Sequence, residues 1–356
     1  MICLLAVGAV HVGGQAAKTQ SVRISVLSLF HPMELRVEAA DGCALRWDGE
    51  DGEMKMDRPQ LTARPSGEIV TLRMHHDRVE ATLPGEGRTL TRSRYTATSA
   101  CAASNAGLGG FWLQVPGKLR RRYLGGLEVR VKGRALEAVV TMPVETAVAS
   151  IVQAESPPGA RREALKAQAV AARSFLLARQ TAHEGFDFCD TTHCQFLRSP
   201  PALGSPADRA AKATEGMVLK WHDAVTAEDR PLAAMYARSC GGRTRTLREI
   251  GVQSSGYPYF SVRCAYCSRH PEAWRREAGS GSIRTEGDRL AYNRIHGWAA
   301  LPSLPKSSTG SDEAKGRGIG HGIGLCQLGA ADMARHGAKF AQILAHYYPD
   351  TALTSR

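Results

Sequence analysis

One segment limits the fold of this 356-residue chain more than any other, the alanine-rich run over residues 161–181. Leu165, Ala169, Ala172 and Leu176 recur with the i, i+4, i+7, i+11 rhythm of a helix that buries one stripe. Pro157-Pro158-Gly159 breaks the chain ahead of it, and Glu163 places negative charge in the first turn, where the helix dipole favours it. So many alanines let another backbone come close. The spacing predicts a long buried helix with Lys166 and Arg173, two turns apart, on one face.

What precedes the helix reads as β-structure. Val22, Ile24 and Val26, then Leu35, Val37 and Ala39, alternate at period two, with Pro32 between the runs. Residues 49–125 are rich in Gly, Thr, Arg and Asp, as antiparallel strands with exposed turns would be. Residues 127–131 alternate, Gly133 turns, and residues 135–140 return as a hairpin. Further helices are expected at 208–215 and 330–346, and loops at 279–287 and 303–318. No βαβ alternation or internal repeat is present. The fold class is therefore α+β: a mostly antiparallel β N-terminal part leads into a mixed α/β core with the alanine-rich helix at its centre.

Composition closes off other classes. A 43% hydrophobic content excludes wholesale disorder, and no uncharged apolar run reaches about 18 residues, so no bilayer-spanning helix is expected in mid-chain. The net charge of +12 invites a polyanion, yet arginine dominates it and the charge is scattered apart from Arg120-Arg121-Arg122, without interleaved aromatics. Nucleic acid is not the expected partner. Residues 1–20 read as a leader: an apolar run, then Gly14-Gln15-Ala16 as a cleavage site, with the basic n-region missing as in a truncated signal peptide. This gives an expected division into a leader over 1–20, a β-rich region over 21–122 and a core over 123–356, in a chain working outside the cytoplasm. Nine cysteines, eight beyond the leader, suit an oxidising compartment but fix no connectivity.

Four stretches carry chemistry. Glu155, beside Ser156-Pro157-Pro158 at the mouth of the helix, suits a general acid whose pKa partial burial would raise; carboxylates near helix starts also serve as caps. Cys189-Asp190-Thr191-Thr192-His193-Cys194-Gln195 reads equally as a zinc site or as disulfide cysteines beside an incidental histidine. A Cys–His nucleophile pair is a weaker third reading. Cys240-Gly241-Gly242 with Cys264-Ala265-Tyr266-Cys267 reads as a structural disulfide or half a metal site. The run from Gly316 to Ala330 matches neither G-x-G-x-x-G nor a P-loop, so no nucleotide is expected; its alternating glycines imply close backbone approach, with His321 and Gln327 as polar contacts.

In order along the chain, these motifs resemble the family of stage II sporulation protein D and the amidase enhancer. Glu163-Ala164-Leu165-Lys166-Ala167-Gln168-Ala169-Val170-Ala171-Ala172-Arg173 is similar to the family's long helix. His193-Cys194-Gln195, Ser239-Cys240-Gly241-Gly242-Arg243-Thr244, Gly320-His321-Gly322-Ile323-Gly324 with Gln327, and Tyr347-Tyr348-Pro349 resemble its other signatures. Residues 123–155 align with strands that lead into the helix, which places Glu145 in that approach. The resemblance covers residues 123–353 firmly and 21–48 loosely.

The resemblance implies a lytic transglycosylase that cuts peptide-stripped peptidoglycan glycan strands to 1,6-anhydro-MurNAc ends, working with a cell-wall amidase. The family's catalytic glutamate falls on Glu155, although Ser156 stands where the family pattern has another residue. Lys166 and Arg173 would orient or tune it or bind the substrate carboxylate. Gln168, Ser239, Gly241, His321 and Gln327 would contact glycan. Cys189 and His193 would bind Zn2+ in a structural or substrate-organising role, with Cys194 a competitor. The alternative is a non-catalytic glycan-binding protein that stimulates a partner amidase.

Overall fold

The computed structural model describes residues 20–50, 60–85, 89–101, 110–178, 183–254, 256–277, 283–306 and 313–355. The expected leader lies almost wholly outside them.

The N-terminal part is antiparallel β. Its strands are β1 (Ser21–Val26), β2 (Glu34–Ala39), β3 (Cys43–Glu50), β4 (Gln60–Pro65), β5 (Ile69–His75), β6 (Arg78–Thr82), β7 (Thr89–Arg92), β8 (Arg94–Cys101), β9 (Gly110–Val115), β10 (Leu119–Leu124), β11 (Gly126–Lys132) and β12 (Ala135–Pro143). One sheet has the order β1-β12-β11-β8-β3-β4, extended beyond β1 by the short parallel strand β13 (Phe188–Cys189). The other runs β10-β9-β2-β5-β6-β7. Period-two alternation sends Ile24, Trp47 and Val129 from the first sheet, and Val37, Leu72 and Leu113 from the second, into a single apolar core. A Cys43–Cys101 disulfide links directly opposed residues of β3 and β8.

α1 (Val144–Glu155) follows β12 without a break. This corrects the expected strand approach. Val144, Val148, Ile151 and Val152 suggest a strand by their β-branching, but they lie at helical spacing and all are buried. Glu155 is therefore the last residue of a helix. α2 (Arg162–Ala178) is the expected alanine-rich helix; the last three residues of its expected range lie outside the described residues. It is buried on two sides. Leu165, Ala169, Ala172 and Leu176 pack into the core of the two sheets, while Ala164, Ala167, Val170 and Ala171 pack into a second core built by the C-terminal half.

That half is irregular, with short elements. α3 (Pro206–Lys212) precedes a three-stranded sheet of β14 (Met217–Asp223), β15 (Glu228–Pro231) and, at the far end of the chain, β20 (Thr351–Ser355). β16 (Tyr236–Ala237) pairs with β19 (Leu325–Cys326), and β17 (Ala273–Glu277) pairs with β18 (Glu313–Arg317). α4 (Ala265–Arg269), α5 (Glu286–His296), α6 (Gln327–Arg335) and α7 (Phe340–Tyr347) complete it. β18 corrects the loop expected at 303–318. Its short charged sequence carries no strand signal, and pairing with β17 supplies the structure. The single helix expected at 330–346 is two, because Gly337 at φ 92° ends α6 in a conformation that only glycine adopts freely. α5 begins inside the loop expected at 279–287, where Thr285 and Asp288 form a capping box. Among the described residues no helix is long and apolar enough to cross a membrane.

Arg173 locks these parts together. Its side chain, 1% exposed, makes a two-pronged ion pair with Glu145 of α1 (Nε to Oε1 2.7 Å, Nη2 to Oε2 2.5 Å). It also donates to the carbonyls of Ala211 and Met217. Removing the guanidinium would strip the two carbonyls of a charged donor and leave the half-buried Glu145 carboxylate with only the Gly216 N–H at 3.5 Å. Arg173→Ala should therefore cost about 3 kcal/mol in urea unfolding; a midpoint unchanged from the wild type would show that the pair does not hold the helices.

Candidate functional site

The Glu155 carboxylate sits at the C-terminal end of α1 and is partly buried. The Phe196 backbone N–H donates to its Oε1 at 2.7 Å. Burial outweighs that hydrogen bond and raises the carboxyl pKa to about 7. No arginine or lysine pairs with it among the described contacts. Gln327, the first residue of α6, donates from Nε2 to the Glu155 carbonyl at 2.9 Å and approaches Gln168 Oε1 at 3.4 Å. The Tyr236 hydroxyl, close enough for the Glu155 charge to act on it, faces Gln168 without closing a hydrogen bond of good geometry.

Around this carboxyl the polar groups are left over. Ser156 Oγ, Gln168 Nε2, both ends of the Gln195 amide and the Tyr236 hydroxyl are buried without a partner. Each belongs to a residue adjoining Glu155, to the loop leading to Phe196, or to the Gln168–Tyr236 contact. Buried polar atoms are nearly always paired, and a group of orphans around one carboxyl marks where a polar ligand or water belongs.

A second cluster stands on the same loop. His183, Cys189, His193 and Cys194 bring one donor atom each to within 4.8 Å of one another. His183 Nε2 lies 3.2 Å from Cys194 Sγ, Cys189 Sγ 3.5 Å from Cys194 Sγ, and His193 Nδ1 3.4 Å from Cys194 Sγ. A tetrahedral ion bound at about 2.3 Å by sulfur and about 2.0 Å by nitrogen needs donor separations of about 3.3–3.8 Å. The donors fit a four-coordinate metal ion. The cluster fixes the residues that immediately precede Phe196, whose N–H reaches Glu155.

The structure thus brings Glu155, Gln168 and Gln327 together. His321 is near: its Nδ1 accepts from the Ile323 N–H at 3.0 Å, and burial pushes its pKa down, keeping the ring neutral. The other sequence candidates stand elsewhere. Arg173 is the buried lock described above. Lys166 pairs with Glu163 at 3.0 Å and lies over the Phe340 ring. Ser239 is 1% exposed against Cys267 Sγ, and Gly241 borders a separate arginine-lined cavity of about 610 Å³. Cys189 and His193 are both in the metal cluster. Sequence reasoning missed His183, Phe196 and Tyr236, and quoted Gln195 in a motif without giving it a role. A His-x5-Cys-x3-His-Cys spacing was there to suggest His183, but nothing local marks Phe196 or Tyr236.

Comparisons with known proteins find relatives over this region. The model of the family described as stage II sporulation protein matches residues 132–221, which span α1, α2, the His/Cys cluster and most of β14. Over that quarter of its length the chain is similar to the stage II sporulation protein family. Among its relatives, stage II sporulation protein D of Bacillus amyloliquefaciens is 27% identical over 59% of this chain and 74% of its own length. The Bacillus subtilis (strain 168) stage II sporulation protein D is 23% identical over 64% of this chain and 79% of its own. The amidase enhancer of the same strain is 25% identical over 58% of this chain and 40% of its own.

The raised Glu155 pKa is also a statement about stability. Below about pH 4.5 the carboxyl is protonated whether the chain is folded or not. Between there and about pH 7 the unfolded chain ionises while the folded one keeps its proton, so folding loses stability as pH rises. Glu155→Gln lacks this loss. In paired denaturation series it should gain on the order of 3 kcal/mol over the wild type between pH 4 and pH 8; parallel curves would mean that the carboxyl titrates normally.

Proposed function

We propose that this protein acts outside the cytoplasm on peptidoglycan glycan strands and that Glu155 serves as the single acid/base of a lytic transglycosylase. The observation that carries the proposal is a carboxyl held near neutrality among unpartnered polar groups. At neutral pH such a group is protonated often enough to donate and ionised often enough to accept.

In the first half of the reaction the Glu155 carboxyl gives its proton to the glycosidic oxygen as the bond to the MurNAc anomeric carbon breaks. In the second, the carboxylate takes the proton from the 6-hydroxyl of the same sugar as that oxygen bonds to the anomeric carbon. The ring closes to the 1,6-anhydro end and the proton ends where it began. Hydrolysis usually needs a second carboxylate to handle water or act as nucleophile, and the near candidates are engaged: Glu145 with Arg173, and Glu163 with Lys166 and the Phe340 N–H. The internal hydroxyl removes that need. Gln168, Gln195 and Tyr236 supply donors and acceptors for sugar hydroxyls, and Gln327 fixes the end of α1. His183, Cys189, His193 and Cys194 would hold zinc, whose filled coordination makes its role structural.

The likeness to the amidase enhancer favours a second reading, and the comparisons support it more directly than they support cleavage. In it, the same polar cluster binds glycan without cutting it, and the protein stimulates a partner amidase.

Purified peptide-free glycan separates the two. The wild type should generate 1,6-anhydro-muramyl ends detectable by mass spectrometry, and Glu155→Gln should lower their yield at least about a hundredfold while still binding glycan. No such ends from the wild type, with binding intact, would leave the enhancer reading. For the metal, Cys189→Ser should lower bound zinc by about one ion per chain in elemental analysis; an unchanged content would place zinc elsewhere.

A further inference from the structure

Four cysteines that take no part in the site above meet inside the second core. Cys240 comes from the turn after β16, Cys264 and Cys267 from the start of α4, and Cys326 from the end of β19. Their residues are 7%, 1%, 0% and 1% exposed. All four sulfurs lie within 4.8 Å of one another, with Cys267 and Cys326 3.5 Å apart.

We propose that these four thiolates bind a second metal ion, a structural zinc in a closed all-sulfur site. Size selects a single ion over a cluster. Zinc bound at about 2.3 Å by four sulfurs separates them by about 3.8 Å, the scale seen here. An iron–sulfur cluster distributes its cysteines over different irons and needs a wider cage.

The surroundings suit thiolates rather than inert thiols. The Tyr347 hydroxyl donates toward Cys264 Sγ at 3.5 Å, the Gly329 N–H toward Cys326 Sγ at 3.4 Å, and Ser239 Oγ lies 3.5 Å from Cys267 Sγ. Donors aimed at sulfur are the outer layer that thiolate metal sites use to share out charge. The backbone is shaped around the same point. A Cβ on Gly329 would stand 2.5 Å from Cys264 Sγ, so only glycine lets the start of α6 approach the sulfurs. Gly241 and Gly242, both at positive φ, turn the chain so that the Gly242 carbonyl accepts from the Cys264 N–H at 2.9 Å. The site ties together three segments from distant parts of the C-terminal half. One of them ends at Cys326, next to Gln327, so the ion would hold in place the residue that bonds the Glu155 carbonyl.

Metal counting on the full chain tests the proposal. Protein purified with zinc present should carry about two zinc ions per chain, falling to about one in Cys267→Ser and about one in Cys189→Ser. Because Cys267→Ser removes a buried ligand and can fail to fold, the decisive spectrum uses Cys189→Ser reloaded with cobalt(II). There the remaining ion should give the intense thiolate-to-cobalt absorption of a four-sulfur site. Loss of all zinc in a folded Cys189→Ser, or mass spectrometry of unreduced digests joining any two of these four cysteines in a disulfide, would overturn the proposal. So would iron at this site in place of zinc.

Discussion

A single helix decides the architecture of this protein. Because α2 is alanine-rich, the sheets can close on one side of it and the loop-rich C-terminal half on the other, with little side-chain bulk between. The driving force is the burial of small apolar surface on both faces, and a helix hydrophobic all round is stable only inside a core. The Arg173–Glu145 pair is the charged exception on this helix within that environment. It costs desolvation, and its hydrogen bonds to the Ala211 and Met217 carbonyls offset part of that cost.

The candidate site is a consequence of where this helix begins. α1 and α2 are joined through Ser156-Pro157-Pro158-Gly159, and the turn presents Glu155 where the two cores meet. From the sheet side, β13 and the His/Cys cluster deliver the Phe196 N–H. From the C-terminal side, β16 and α6 deliver Tyr236 and Gln327. Neither half contains the site alone, and the carboxyl owes its raised pKa to being enclosed by both.

The α+β class, the alanine-rich helix and the alternating strands were legible in the sequence because each rests on a local period of apolar residues. α1 was not, since its β-branched residues suggest a strand taken one at a time and a helix only in their spacing. β18 and α5 escaped for the opposite reason: they are polar and short, and their pairing and capping partners define them. At the site, Glu155, Gln168, Gln327, Cys189 and His193 were visible as motif residues, while Tyr236 and Phe196 were not, the latter acting only through its backbone. Arg173 stood beside a motif and suggested a ligand contact, but its depth directs it to Glu145 instead.

The sequence by itself determined the periodic elements, the family resemblance and the chemical types available for function, because those depend on residues close along the chain. The tertiary structure alone decided which of them act together. It sorted eight cysteines into a disulfide, a mixed His/Cys cluster and a buried four-sulfur group, and it gave one glutamate among several its unusual acidity. Both outcomes turn on distances between atoms far apart in sequence and on how much water reaches them, and no reading of local order contains either quantity.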